Sequence, residues 1–324
     1  MYNKKQFSGY PRPMTRSTGV ETLLTEAYDS LSALRLEAAQ ASFQSALEED
    51  FEDDELLYAM KCAGWWSDSM DRVAGIPDAF EAGEYVIARW RAFRLFLAKL
   101  GPARDRPVSA FKQFAFGTAL EKFAGLAADG ENADPEVMLR LGKASKGHGD
   151  YEAAVGHLEA AAKLKRDDAA ILAELADAYA LIDEQRASKA LFREAFYINP
   201  QRVDVELLES SAFARLAAKV SELGKEGIEA AEWIPVIGEL LGVFSVKREL
   251  KPVEAGKLKQ SVYELETELQ SDGSRRAILV PRLINRYFWL IDHYMNRKED
   301  KSKIDELLLK IKLLDPFVYK QYIA

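Results

Sequence analysis

The chain has 324 residues, of which 48% are hydrophobic and 30% charged, and its formal net charge is -8. This length allows one large domain or two small ones with an ample core. The acidic balance argues against bulk attraction to nucleic acid. The single cysteine, Cys62, excludes an intrachain disulfide and lies in an apolar helical pattern, so we expect it to be buried.

Residues 1–19 predict a basic, irregular arm. The segment holds four basic residues, no acidic residue and two prolines that disfavour a helix: Lys4, Lys5, Pro11, Arg12, Pro13 and Arg16. Such an arm is either a solvated tail or a segment that docks on an acidic surface.

No stretch of the sequence predicts a secretory signal or a membrane span. The longest apolar run, residues 233–246, is interrupted by two glycines, a proline and a glutamate, and it is shorter than the ~20 residues that cross a bilayer. We therefore expect a cytoplasmic protein.

Residues 20–128 predict a degenerate helical hairpin followed by long helices. Leu23, Ala27 and Leu31 share one helical face, as do Ala39 and Phe43 on the next helix. Longer helices are predicted over 55–74, 78–100 and 108–128. The acidic run 48–55 would begin the third helix, where the helix dipole favours negative charge, and a calcium site is the weaker interpretation.

Basic and aromatic residues alternate along 86–106. Arg89 falls within the apolar arc of its helix, which indicates either an ion pair with a neighbouring helix or an opening to a binding groove. Stacking on single-stranded nucleic acid is a third functional hypothesis for this segment.

Two consecutive 34-residue units can be superposed over residues 135–202. Leu141 and Leu175 are 34 positions apart, and so are Leu158 and Phe192. Small residues recur in the same way, which allows close approach of helix backbones (Gly142 and Ala176, Ala161 and Ala195). This period is typical of stacked helical hairpins.

The second unit resembles the tetratricopeptide repeat (TPR) family. It keeps the large, small, aromatic and closing proline positions of that pattern at Leu172, Leu175, Ala176, Tyr179, Phe192, Ala195 and Pro200. The resemblance implies an all-α, TPR-like right-handed helical solenoid with divergent N- and C-terminal helices. It also implies a concave groove that receives a protein or peptide and is lined by Leu139, Lys143, Lys146, Ala173, Asp177 and Ala180. We expect Lys143 and Lys146 to be exposed.

Residues 203–324 predict a divergent helical region that ends in a TPR-like hairpin. A helix is expected over 203–223, and the apolar segment 233–246 is either buried against the repeats or exposed for membrane contact. A cryptic 34-residue unit can be placed over 285–318, closed by Pro316.

Four residues near the C-terminus recur at helical spacing and predict a second contact surface: Arg282, Arg286, Trp289 and His293. The alternative is that Trp289 packs on the terminal hairpin with Arg286 beside its ring.

The sequence offers no catalytic motif, cofactor fingerprint or metal-ligand spacing. Its three histidines, His148, His157 and His293, are widely separated. We therefore expect a non-catalytic scaffold or adaptor without a cofactor. The first alternative is a cell-envelope or membrane-associated assembly factor that uses 233–246, and the second is nucleic-acid binding through 86–106.

Overall fold

The computed structural model describes residues 17–127 and 133–324, so most of the predicted basic arm lies outside the described residues. The described ranges contain α-helices and short 3-10 turns but no strand, which confirms the all-α class. The helices are α1 Thr18–Ser32, α2 Leu36–Glu49, α3 Asp54–Ala74, α4 Ala79–Leu100, α5 Asp105–Ala124, α6 Pro135–His148, α7 Tyr151–Leu164, α8 Ala169–Leu181, α9 Gln185–Ile198, α10 Ser211–Glu222, α11 Gly227–Leu240, α12 Pro252–Ser271, α13 Arg276–Asn296, α14 Lys301–Leu314 and α15 Pro316–Ile323.

The chain forms two compact units. The first comprises residues up to 126 together with 147–149, and the second comprises 127–146 and 150–324. The first unit contains the predicted hairpin and the long helices. The second contains α7 to α15 and most of α6.

Aromatic side chains form the core of the first unit. Trp66 of α3 lies within ring-contact distance of Phe93 of α4 and Phe114 of α5, and all three are buried. Cys62 is buried beside them on α3, and burial raises the pKa of its thiol to about 12. Acidic residues start the helices: Asp53 and Asp78 each accept a hydrogen bond from the first turn of α3 and α4.

Helices α6 to α9 are short and separated by tight turns. Asp150 and Asp168 cap α7 and α8 by accepting backbone hydrogen bonds. The small positions lie where helices meet: Ala161 and Ala195 are fully buried, and Gly142 faces Leu158 of α7. The absence of a side chain at Gly142 therefore sets the spacing of α6 and α7.

Substituting alanine at two glycines tests this close packing. A methyl group at Gly142 would lie 2.4 Å from Leu158 Cγ, so Gly142→Ala is expected to lower the free energy of unfolding by about 1–3 kcal/mol. The control is Gly156→Ala on exposed α7 surface, where nothing lies within 4 Å and the change should stabilise by about 0.5–1 kcal/mol. Urea unfolding measures both, and equal effects would contradict the close contact.

The helices that follow α9 in the second unit share one hydrophobic core with α8 and α9, which form the second repeat. Phe192 and Phe196 of α9 stack near Phe213 of α10 and Phe244, which follows α11. Trp233, Ile234, Val236 and Ile237 also belong to this core. The apolar segment 233–246 is therefore largely buried, and its one exposed large apolar side chain is that of Leu241.

The predicted helix over 203–223 is wrong in its first third. Residues 200–202 and 205–207 form 3-10 turns, and α10 begins only at Ser211. The reason is tertiary, since polar groups of α6 and α8 bind the backbone of this connecting segment.

Candidate interaction surfaces

The six residues predicted to line the repeat groove lie on α6 and α8, but they do not form a free surface. Leu139, Ala173 and Asp177 are buried, and Ala180 is half-buried. The Lys146 side chain is 1% exposed and donates to Glu174 Oε2 and Asp177 Oδ2, each at 2.6 Å. Burial alone would lower the pKa of Lys146, but the two carboxylates outweigh it and raise that pKa.

The chain itself covers this face. Lys146 Nζ donates to the carbonyl of Leu207 at 2.9 Å. Asp177 accepts hydrogen bonds from the backbone amides of Glu209 and Ser210, both at 2.8 Å. Lys143 Nζ lies 3.4 Å from Asp204 Oδ2. Four polar contacts thus hold residues 204–210 against the α6 and α8 face.

The predicted exposure of Lys143 and Lys146 is therefore wrong. Lys143 keeps only 11% of its side-chain surface and pairs with Glu174 as well as Asp204. The physical reason is that Glu174, a position with no assigned role in the repeat pattern, supplies buried negative charge beneath both lysines. A groove open to an external peptide is not found at this face.

The residues of the stripe predicted on α13 are packed against other helices rather than exposed to solvent. Trp289 is 3% exposed, its ring lies 4.4 Å from that of Tyr197, and the Arg193 guanidinium stacks over it. His293 is also buried, and burial lowers its pKa. A contact surface requires exposed side chains, and Trp289 and His293 are not exposed.

The two arginines of that stripe have internal partners. Arg286 donates to the Tyr197 carbonyl at 2.8 Å and stacks on the ring of the same residue, and burial lowers its pKa. Arg282 pairs with the fully buried Glu232 of α11. In place of the predicted cation–π contact between Arg286 and Trp289, Arg286 lies over Tyr197, and Arg193 and Arg248 lie over Trp289.

A buried ionic network joins α9, α11 and α13. Arg193 and Lys247 both bind the Asp292 carboxylate. Glu239 lies 3.5 Å from Arg193 and 3.3 Å from Lys247. Burial raises the pKa of Glu239, and the two cations oppose that shift. Two positive and two negative groups balance in this network, so it is suited to fixing helix positions.

Arg89 in the first unit also has a structural role. Its Nε donates to Ser69 Oγ at 3.1 Å, and its guanidinium lies 4.1 Å from the centre of the Trp65 ring. Arg89 therefore has two partners on α3, a hydroxyl and an aromatic ring, in place of the predicted carboxylate. One face of Trp65 is covered by Arg89, which leaves less aromatic surface for a nucleobase.

A different surface of the second unit is open, and sequence reasoning missed it. Helices α12 and α14 form two walls above α13, with two cavities of about 370 and 330 Å³ between them. We call this the α12–α14 groove. Its lining residues are Lys259, Val262, Tyr263, Glu266, Leu269 and Gln270 of α12; Arg276, Leu283, Tyr287, Leu290 and Tyr294 of α13; and Lys303, Glu306, Leu307, Lys310, Leu313 and Leu314 of α14.

The two cavities are successive parts of one groove because they share Glu266 and Lys310. One cavity is lined by the C-terminal parts of α12 and α14, and the other by their N-terminal parts. The walls therefore run in the same direction. On each wall the first and last lining residues are 11 positions apart, which corresponds to about 16 Å of helix.

An ion pair crosses the middle of the groove. Lys310 Nζ lies 2.9 Å from Glu266 Oε1 and 3.1 Å from Glu306 Oε1. The Tyr287 hydroxyl donates to the same Glu266 oxygen from the floor at 2.7 Å. Burial alone would lower the pKa of Lys310, but its hydrogen bonds to both carboxylates raise it. Of these bonds, the Lys310–Glu266 pair joins the two walls, whereas Glu306 and Lys310 both belong to α14.

Large apolar side chains flank the groove and face solvent. Tyr263 is 70% exposed on α12, and Leu313 is 74% exposed on α14. The signal that could have revealed the groove is in the sequence, since lining positions on both walls follow the same spacing from Lys259 and from Lys303.

No protein-family model matches the chain, and no curated protein matches it. In the part of the chain that the structure describes, no helix is long and apolar enough to cross a membrane. Within the same ranges, no three His, Cys, Asp or Glu side chains are arranged to hold a metal ion.

Proposed function

We propose that this protein is a non-catalytic scaffold or adaptor, built from TPR-like hairpins, that binds a helical segment of a protein partner in the α12–α14 groove. The observation that carries the proposal is the groove itself, two walls running in the same direction above a floor helix. A helix laid there would contact α12, α13 and α14 together, as a fourth helix does in a bundle.

The TPR-like assignment is supported by the 34-residue spacing and by the helices found over it. Helices α6 to α9 have 13 or 14 residues each, and small residues lie buried between them. We propose that these hairpins support the C-terminal helices of the second unit instead of receiving the partner, because residues 204–210 already bind their predicted groove face.

The shape and surface of the α12–α14 groove favour a helix as its occupant. The groove is about three helical turns long, and both rims carry exposed apolar side chains whose burial would drive association. The central Lys310–Glu266 ion pair joins the walls at the point where the two cavities meet.

A single charged substitution tests the adaptor function. We expect Leu313→Glu to weaken binding of the partner at least about tenfold, because it places a carboxylate where apolar surface should be buried. Partners captured from the native extract are identified and purified, and titration calorimetry then measures their affinity for each variant. Since Leu313 is exposed, the melting temperature should stay nearly constant.

The matched control is Val253→Glu, at an equally exposed apolar position of α12 that does not line the groove. It should leave the affinity unchanged. Equal affinity of wild type and Leu313→Glu for every purified partner would overturn the proposed use of the groove.

A further inference from the structure

The α12–α14 groove carries a charge pattern that specifies its occupant. On the basis of the function proposed above, we infer that the groove receives an amphipathic partner helix with a carboxylate at each end of its apolar face and none at the middle. The inference rests on the positions of the charged lining residues and on which of them already have partners.

The two ends of the groove are positive. Lys259 lines the cavity at the N-terminal ends of α12 and α14, and Arg276 lines the cavity at the other end. Both side chains are exposed. Within residues 17–127 and 133–324, neither makes an ion pair; Lys259 makes a cation–π contact with the Tyr294 ring and lies near enough to Glu299 to act on that carboxylate electrostatically.

The other cation near the Lys259 end is already neutralised. Lys303 Nζ lies 2.7 Å from Glu299 Oε2, and this pair raises the pKa of Lys303 through its hydrogen bond. Lys303 Nζ also lies 5.7 Å from the centre of the Tyr294 ring. Lys303, Lys259 and Arg297 all act electrostatically on the one carboxylate of Glu299, so the Lys259 end of the groove keeps a net positive charge.

The middle of the groove is negative. Glu266 and Glu306 share a single cation, Lys310. A carboxylate placed above this centre would meet two like charges, whereas a carboxylate at either end would meet an unpaired cation. An acidic residue is thus favoured at both ends of the bound helix and disfavoured in its centre.

The apolar part of the groove supplies affinity, and the charge pattern supplies register. Leu269, Leu283 and Leu314 line the cavity beside Arg276, while Val262 and Leu290 line the other. Because the lining positions extend over about 16 Å, the two carboxylates should be about 11 residues apart on one face of the occupant.

Three synthetic helical peptides of equal length test the inference on the full chain. The end-acidic peptide carries glutamates 11 positions apart and glutamine at the centre. The centre-acidic peptide has the same composition, with its glutamates at the centre and glutamine at the ends. The end-basic peptide carries lysines at the ends. Fluorescence anisotropy at low salt should show about five- to tenfold tighter binding of the end-acidic peptide than of either other peptide.

A charge reversal at the groove should invert this preference. The double variant Lys259→Glu with Arg276→Glu is expected to bind the end-basic peptide more tightly than the end-acidic one. The control, Lys257→Glu with Lys312→Glu, makes the same change in net charge on exposed positions of α12 and α14 outside the groove lining. It should keep the wild-type order.

Equal binding of the end-acidic and centre-acidic peptides would overturn the charge pattern while leaving helix docking intact. If none of the three peptides binds, the inferred charge pattern is also overturned. The Leu313→Glu measurement on purified partners then decides whether the adaptor function fails as well. Sedimentation analysis tests whether a second copy of the chain occupies the groove instead. A wild-type dimer that Leu313→Glu converts to a monomer would show that a second copy of the chain occupies the groove, which contradicts an acidic partner helix.

Discussion

Replacing Lys146 with methionine is expected to lower the free energy of unfolding by about 3–5 kcal/mol, because it leaves two buried carboxylates without their shared cation. Glu174 and Asp177 are each nearly inaccessible to solvent, and Lys146 also binds the Leu207 carbonyl. Urea unfolding at neutral pH measures the loss.

The control is Lys219→Met, which removes an exposed ion pair with Glu222 on α10 and should cost no more than about 1 kcal/mol. A loss below about 1 kcal/mol for Lys146→Met would contradict the buried arrangement at the α6 and α8 face.

The same substitution has a defined pH dependence. Because the folded-state pKa of Lys146 lies above the ordinary value of 10.5, its contribution to stability is fully present below that pH. The contribution is lost as the pH rises further toward the folded-state pKa. The difference between wild type and Lys146→Met should therefore be constant from pH 7 to 9 and decrease above about pH 10.5.

Removing Asp292 should have a comparable effect, again about 3–5 kcal/mol for Asp292→Ala. Arg193 and Lys247 would each lose one of their two carboxylate partners and would be left to share Glu239. Since the network joins α9, α11 and α13, thermal unfolding should show a lower midpoint for the second unit.

A double substitution distinguishes a lost ion pair from general damage to the core. Arg193→Met combined with Asp292→Leu removes both charges and keeps apolar volume, so it should recover part of the stability lost in Asp292→Ala. This explanation would be contradicted if the double variant lost more free energy of unfolding than Arg193→Met and Asp292→Leu lose together as single variants.

The sequence predicted the helices more reliably than it predicted their exposed faces. Helical periodicity located α3 and α4 within a residue or two, because apolar spacing and capping residues act locally. The 34-residue comparison identified Gly142 as a contact position, and the structure places it against Leu158.

The buried ion pairs could not be predicted in the same way. Lys143 and Lys146 looked exposed because the repeat pattern assigns their positions to a groove. Their burial depends on Glu174, Asp177 and the segment 204–210, which come from other parts of the chain. A lone sequence gives the residue types, but the pairing of charges across helices depends on tertiary packing.

The prediction of a contact surface on α13 fails for a related reason. Trp289 and Arg286 are residue types that are frequent at interfaces, yet here they contact Tyr197 of α9. The open groove lies on another face of the same helix, where α12 and α14 share α13 as their floor. The composition of each helix alone does not reveal that arrangement.

Hydrogen–deuterium exchange with and without the end-acidic peptide tests the central claim most directly, because it reports which part of the chain is covered on binding. Our account predicts slower exchange over residues 259–270 and 303–314, with no change over 203–210. Unchanged exchange on both walls, together with faster exchange over 203–210, would contradict it and would identify the α6 and α8 face as the binding surface.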